Sequence, residues 1–307
     1  LNQAEGICRQ LGNLDGLQVI LGNRAMIMLT RGNVDGAMAL HREQERICRQ
    51  LGNLDGVQKA LVPQALILRA RGDLDGAMTL LKEQENICRE LGEIGSLGTG
   101  LGNQALILKD RGDLDGATAL LEEAELIYRK LGNLDHVQRS LCDRASILIY
   151  RGDLRGAIVL LKEQELICRQ LGDIDSLQVG LGNQAVILKA QGDLHGALAL
   201  HKEEELICRQ LGNIDSLQRS LGNQAGVMGA LGDPYGAMTL LREQERICRE
   251  LANVDGLARS LANQAMILAK GMGQPQEAWP LFEEAHRLAT QHGLSALVRQ
   301  IRQMVEK

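Results

Sequence analysis

The residues in this chain that could do chemistry are its cysteines, its histidines, a recurring Arg-Gly-Asp tripeptide and many carboxylates. A repeat places nearly all of them. Cys8, Cys48, Cys88, Cys168, Cys208 and Cys248 fall at one position of a 40-residue period, with Tyr128 in the place the series skips. Thiols spaced over successive units do not supply the close CxxC pairs of a metal site. Each instead stands beside an Ile and three residues before a Leu, as a small residue filling a helix seam would. Unpaired thiols at this density suit a reducing compartment, so a cytoplasmic location is expected. The six histidines are scattered. His195 and His201 do not share a helix face, and there is no HExxH. Arg-Gly-Asp occurs at 71–73, 111–113 and 151–153. An adhesion motif is one reading, but its place at the same turn of each unit favours a structural one. Gly222, Gly226, Gly229 and Gly232 lack the preceding strand of a phosphate loop. At helical spacing they would thin a groove wall or soften a helix. No Ser/His/Asp or Cys/His constellation can be assembled. No catalytic residue, metal ligand or cofactor is expected, and the chain reads as a non-enzyme.

What must position these residues is the repeat itself. Gly32, Gly72, Gly112, Gly152, Gly192 and Gly232 each precede Asn or Asp, and an Ala stands five residues past each Gly. Leu61, Leu101, Leu141, Leu181, Leu221 and Leu261 each precede an Ala by four. The register holds from about residue 13 to 268, and one extra residue enters near Gly271–Gln274. A constant period over 307 residues argues for a linear array rather than two globular domains. Aromatics are 2% of the chain, so the core must be aliphatic. A net charge of −5 and a pI near 5.8 give no general attraction to nucleic acid. No apolar run is long enough for a membrane span, and no basic-then-apolar leader opens the chain. The chain opens with Leu1 inside a repeat, which reads as a fragment with upstream structure missing.

Within one unit, Val57, Leu61, Ala65 and Leu68 recur at helical spacing and predict a helix A over about 56–70. Gly72 can close it in the left-handed conformation, and Asp73 can cap the next helix. Helix B is then predicted from Leu74 to Leu91, with Ala77, Leu80, Leu81, Gln84, Ile87, Cys88 and Leu91 on one stripe. Glu85 and Arg89 are four apart, and Glu45/Arg49, Glu125/Arg129, Glu165/Arg169, Glu205/Arg209 and Glu245/Arg249 repeat the pair. As surface pairs each contributes roughly 0.3–0.5 kcal/mol. One hairpin cannot bury its own apolar stripe, whereas stacked hairpins can. The expected division is a partial unit at 1–12, six tandem copies over 13–252, a diverged seventh copy over 253–292, and a capping helix over 293–307 with Arg299, Arg302 and Lys307 exposed.

Ala105, Leu108, Gly112, Asp113, Ala117, Leu121 and Ala124 fill the small and large apolar places of the tetratricopeptide repeat pattern. The chain resembles that family over nearly its whole length. Its period of 40 exceeds the family's usual value of about 34. In this it is similar to the kinesin light chain variety. The family's aromatic places are aliphatic here, and Arg stands where a Pro often follows helix B. The armadillo and HEAT class shares the long period but not the Gly-Asp turn.

The resemblance implies an all-α, right-handed α-α superhelical solenoid of tandem antiparallel helix pairs whose concave surface is lined by helix A. On that face it places an Asn ladder, Asn23, Asn103, Asn183, Asn223 and Asn263, suited to holding an extended peptide. Lys59, Lys109, Arg139, Lys189, Arg219 and Arg259 flank it and suggest a mildly basic groove for an acidic protein or peptide partner. The Asn residues could equally cap or satisfy neighbouring helices. Two copies break the ladder: one has Pro63, expected to kink or start its helix, and one has Cys142, Asp143, Ser146, Ile149 and Tyr150. Such deviation marks either a specific pocket or drift. The function this implies is a protein-interaction scaffold or sensor, similar to the recognition arms of bacterial signalling and defence proteins. The alternatives are a self-assembling solenoid that stacks through its uncapped N-terminal end and, third, an enzyme regulated by the repeats.

Overall fold

The computed structural model describes residues 1–305, and among them every regular element is helical. The A helices are α2 (Leu14–Thr30), α4 (Leu54–Ala70), α6 (Ile94–Asp110), α8 (Leu134–Arg151), α10 (Ile174–Ala190), α12 (Ile214–Ala230) and α14 (Val254–Met266). The B helices are α1 (Asn2–Leu11), α3 (Val34–Gln50), α5 (Leu74–Leu91), α7 (Leu114–Lys130), α9 (Leu154–Leu171), α11 (Leu194–Leu211), α13 (Pro234–Glu250) and α15 (Pro275–Gln291). A last helix, α16 (Ser295–Val305), packs on α15 and α14. Arg299 and Arg302 are exposed on it, while Lys307 lies outside the described residues.

The A–B turns that carry Gly followed by Asn or Asp work by the same local chemistry. The glycine two residues past helix A, such as Gly72 at φ 82° or Gly112 at φ 83°, takes the left-handed conformation that a Cβ disfavours. The next residue caps helix B: Asp73 Oδ1 accepts from the Gly76 N–H at 2.9 Å, and Asp113 does the same for Gly116. The Arg before the glycine reaches back one period, Arg71 to Asp35 and Arg111 to Asp75. In these two tripeptides all three residues are therefore used structurally. Pro63 stands inside α4, which begins at Leu54, so it does not start that helix.

The chain forms two compact units, Leu1–Ile147 and a second from Leu148 onward. In each, consecutive helices pack antiparallel. Ala65, Ala77, Leu81 and Ile107 form one buried layer of the first unit, and Ala225, Ala237 and Leu241 one of the second. Successive A helices approach one another, α4 with α6 and α10 with α12 with α14. Successive B helices are instead joined by long arms, Arg49 to Glu83 at 2.6 Å and Arg209 to Glu243 at 2.9 Å. The extra residue near Gly271 is absorbed as a π-helical turn, Ile267–Gly271, at the end of α14.

Candidate functional site

On the A-helix face, the side chains of Asn23, Asn103, Asn223 and Asn263 make no hydrogen bond to any described residue. Asn23 and Asn223 are exposed, Asn103 and Asn263 half-buried. These four amides neither cap a helix nor bridge two, which leaves their donors and acceptors open to a ligand. Asn183 is half-buried and engages a partner.

The flanking cations are less available than their number suggests. Lys59 is held by Asp55 at 2.7 Å, Arg139 by Asp135 at 3.1 Å and Arg259 by Asp255 at 3.0 Å, each four residues earlier on its own helix. Arg219 donates to Ser216 Oγ at 3.0 Å. Lys189 reaches across to α12, where its Nζ would be 2.9 Å from a Cβ on Gly226. Near Lys109 a mixed cluster forms. Arg69 binds Asp110 at 2.6 Å, and burial pushes the Asp143 carboxyl up while Lys109 and Arg69 pull it down. Tyr150 is 82% exposed.

Each unit has a depression on this face at equivalent registers. In the first, about 440 Å³ is walled by Gly22 and Met26 of α2, Lys59, Val62, Pro63 and Leu66 of α4, and Ser96 and Thr99 of α6. In the second, about 330 Å³ is walled by Gln218, Arg219, Gly222 and Asn223 of α12 and by Arg259, Ala262 and Asn263 of α14, with Leu297 and Met304 of α16. Both also receive glutamines from B helices: Gln44 and Gln84 in the first, Gln244 in the second. Sequence reading placed only A-helix residues here.

Glycine explains how a B-helix side chain gets through. A Cβ on Gly22 would lie 2.8 Å from Gln44 Nε2, and one on Gly222 2.7 Å from Gln244 Nε2. Each amide occupies the volume that the glycine lacks on the preceding A helix. Gln84 faces Val62 in that direction and turns the other way, where its Oε1 fills the space over Gly100 and its Nε2 donates to Ser96 O at 2.9 Å. Each of these B-helix amides meets one glycine, a match between helices that local periodicity in the sequence does not reveal.

The fifth copy (173–212) departs most in chemistry. His201 and Glu204 replace the Leu and Gln of other copies, and Ser220 on α12 joins them. His201 Nδ1 donates to Glu204 Oε2 at 2.8 Å and Ser220 Oγ donates to the same oxygen at 3.0 Å. In the first copy His41 meets the neutral Gln44 Oε1 at 3.1 Å, and burial holds the His41 ring below its usual pKa. Five of the seven thiols, Cys48, Cys88, Cys168, Cys208 and Cys248, are buried packing groups, and Cys8 and Cys142 are half-buried. Burial pushes Cys88, Cys208 and Cys248 up to about 11, the reverse of what a nucleophile needs. Among the described residues no group of His, Cys, Asp and Glu could hold a metal ion, and no helix is long and apolar enough to cross a membrane.

The family model of the MalT-like TPR region matches residues 16–297. The chain belongs to that family. Among solved structures it is similar to the Signal Transduction ATPase with Numerous Domains (STAND) protein with a tetratricopeptide repeat sensor from Pyrococcus horikoshii. The TM-score is 0.78 at 14% identity, over 95% of this chain and 45% of that one, so the chain spans under half of that relative. It is also similar to a Rap protein complexed with Competence and Sporulation Factor, with TM-score 0.58 at 12% identity over 94% and 96% of the two chains. A third is a putative kinesin light chain with nearly identical TPR-like repeats from Podosopora anserina, with TM-score 0.52 at 19% identity over 63% and 95%. At such identities the likeness shows the fold, a TPR-like array of helix pairs. Comparison with curated protein sequences finds no match.

Proposed function

We propose that this protein is a binding scaffold or sensor, with no catalytic step of its own, that holds an extended peptide or protein segment on its A-helix face. The observation that carries the reading is the set of unengaged amides at Asn23, Asn103, Asn223 and Asn263. An amide can donate to and accept from a peptide backbone at once. The Rap protein, similar in fold, was solved with a bound factor, and the P. horikoshii protein carries its repeats as a sensor; both support the reading. With three flanking cations already paired, acidity in the partner would add less than shape and hydrogen bonding. The buried unpaired thiols fit a reducing, cytoplasmic setting.

The test is the double variant Asn223→Ala, Asn263→Ala, which alters two walls of the 330 Å³ depression. Screened against an array of acetylated, amidated peptides, it should lose about tenfold or more in affinity for peptides that wild type binds, with thermal stability unchanged. Equal binding by both proteins removes these amides from the site.

A second reading is self-association. Ile7 and Leu11 of α1 are exposed, and a hollow of about 600 Å³ beside α1 is lined by Leu1, Ile27 and Met28. A second copy seated there would give a mass that rises with concentration in light scattering. A constant monomer mass would remove this reading.

A further inference from the structure

Most carboxylates of this chain are exposed or spend both oxygens on neighbours. Glu45, for example, gives Oε1 to Arg49 at 2.9 Å and takes Gln64 Nε2 on Oε2 at 2.7 Å. Glu204 does neither. It is 8% exposed, and both of its donors, His201 and Ser220, meet the single oxygen Oε2, the Ser220 hydroxyl lying also 3.2 Å from the His201 carbonyl oxygen. Oε1 has no partner among the described residues. It lies 2.6 Å from where a Cβ on Gly182 would be, so it fills the gap that this glycine opens in α10. Gly182 stands one period before Gly222 and four periods after Gly22, the two glycines that line the depressions of the A-helix face. By the same register Gly182, itself half-buried, stands on that face. The one guanidinium of α12, Arg219, donates to Ser216 Oγ.

A carboxylate held by two donors on one oxygen, nine-tenths buried and with the other oxygen turned into a glycine gap, is a fixed acceptor for a cation. We propose that Glu204, presented through Gly182, is the anchor for an ammonium or guanidinium group, such as a Lys or Arg side chain of a bound segment. The assignment rests on the A-helix face being the binding surface, and it reverses the sign of charge that the flanking cations suggested for the partner. The three residues act as one device. Ser220 and His201 fix the rotamer, Gly182 gives access, and Glu204 supplies the charge. The equivalent gaps at Gly22 and Gly222 present the neutral amides of Gln44 and Gln244, so charge selection belongs to the fifth copy alone.

The test uses n-butylammonium and n-butylguanidinium as probes, with n-butylurea as the neutral control. The Glu204 carboxyl carbon is followed by NMR and assigned through Glu204→Gln. That variant places at 204 the amide that copies one and six carry, so its fold is expected to survive. Saturable shifts with both cations and none with the urea are expected, with affinity at least about tenfold weaker in Glu204→Gln. Gly182→Ala, which puts a Cβ at the gap, should lose the response while Glu204 stays in the protein. Equal shifts with the urea, or cation binding unchanged in both variants, overturn the proposal. A peptide array separates the two readings. Bound peptides indifferent to replacing Lys or Arg by norleucine sink the Glu204 anchor and leave the face as a binding surface. Cation probes that bind at Glu204 with no peptide bound anywhere leave the anchor and sink the peptide reading.

Discussion

At the scale of single residues, departures from the repeat come in compensating pairs. Cys208 Sγ donates to Gln178 Oε1 at 2.9 Å, and Cys48 and Cys248 make the same contact with Gln18 and Gln218. Where Tyr128 replaces the cysteine, the partner position holds Gly98, and a Cβ there would be 2.9 Å from the ring. The phenol then finds Thr99 Oγ1 at 3.3 Å and the ring packs at a tilt against His136, with centroids 4.6 Å apart. Gly98→Gln alone should cost about 1–3 kcal/mol by overpacking. Adding Tyr128→Cys should restore most of it, as urea denaturation of the double-mutant cycle would show. Additive losses would mean the two positions are not coupled. Part of this was legible beforehand, since the cysteine column read correctly as seam packing. Its glutamine partner was not, because a residue 30 positions away on another helix leaves no mark in local periodicity.

At the scale of helices, start and stop signals carried most of the information. Gly72 and Asp73 place the A–B turn of the second copy, and α5 runs from Leu74 to Leu91 as its pattern predicts. Helix A begins earlier than its apolar pattern indicates, at Leu54, because Asn53 Oδ1 caps the Gly56 N–H at 2.9 Å. The apolar stripe marks the buried face of a helix, whereas its first residue is set by the cap. One stop signal is substituted. Ala252 stands at φ 51°, where its counterparts Gly212 and Gly172 stand at 64° and 70°. Ala252→Gly should relieve that strain and raise stability by about 0.5–1 kcal/mol, seen as a higher melting temperature. No change would show that the C-terminus of α13 frays freely in the native protein.

At the scale of the whole molecule, exposed Arg–Glu arms decorate the B helices, and stability comes mainly from buried seams. Pairs as exposed as Arg89 with Glu123 are worth only about 0–1 kcal/mol each. The seams carry a pH signature. The thiols of Cys88, Cys208 and Cys248 rise from 9.0 to about 11 on folding, so above pH 9.0 the unfolded chain loses these protons first. Their contribution is therefore complete below 9.0 and is lost as pH rises through about 11. Urea midpoints should fall across that window, and serine at the three positions should flatten the fall. The array was legible because each copy repeats the same seam. The groove was legible only as a face, because its depth depends on B-helix side chains passing through glycine gaps, a relation between three helices.

Those gaps also constrain how the chain can change in length. Excising residues 93–132 would keep the period intact and every cap in place. Gln84 would then lie between Val62 and Ser140, with no vacant volume on either side. Excising 53–92 would leave Gln44 between Gly22 and Gly100, with two vacancies for one amide. Copies that look interchangeable are thus marked with their neighbours' identities, and recombination between them would be filtered by whether donor and recipient boundaries match.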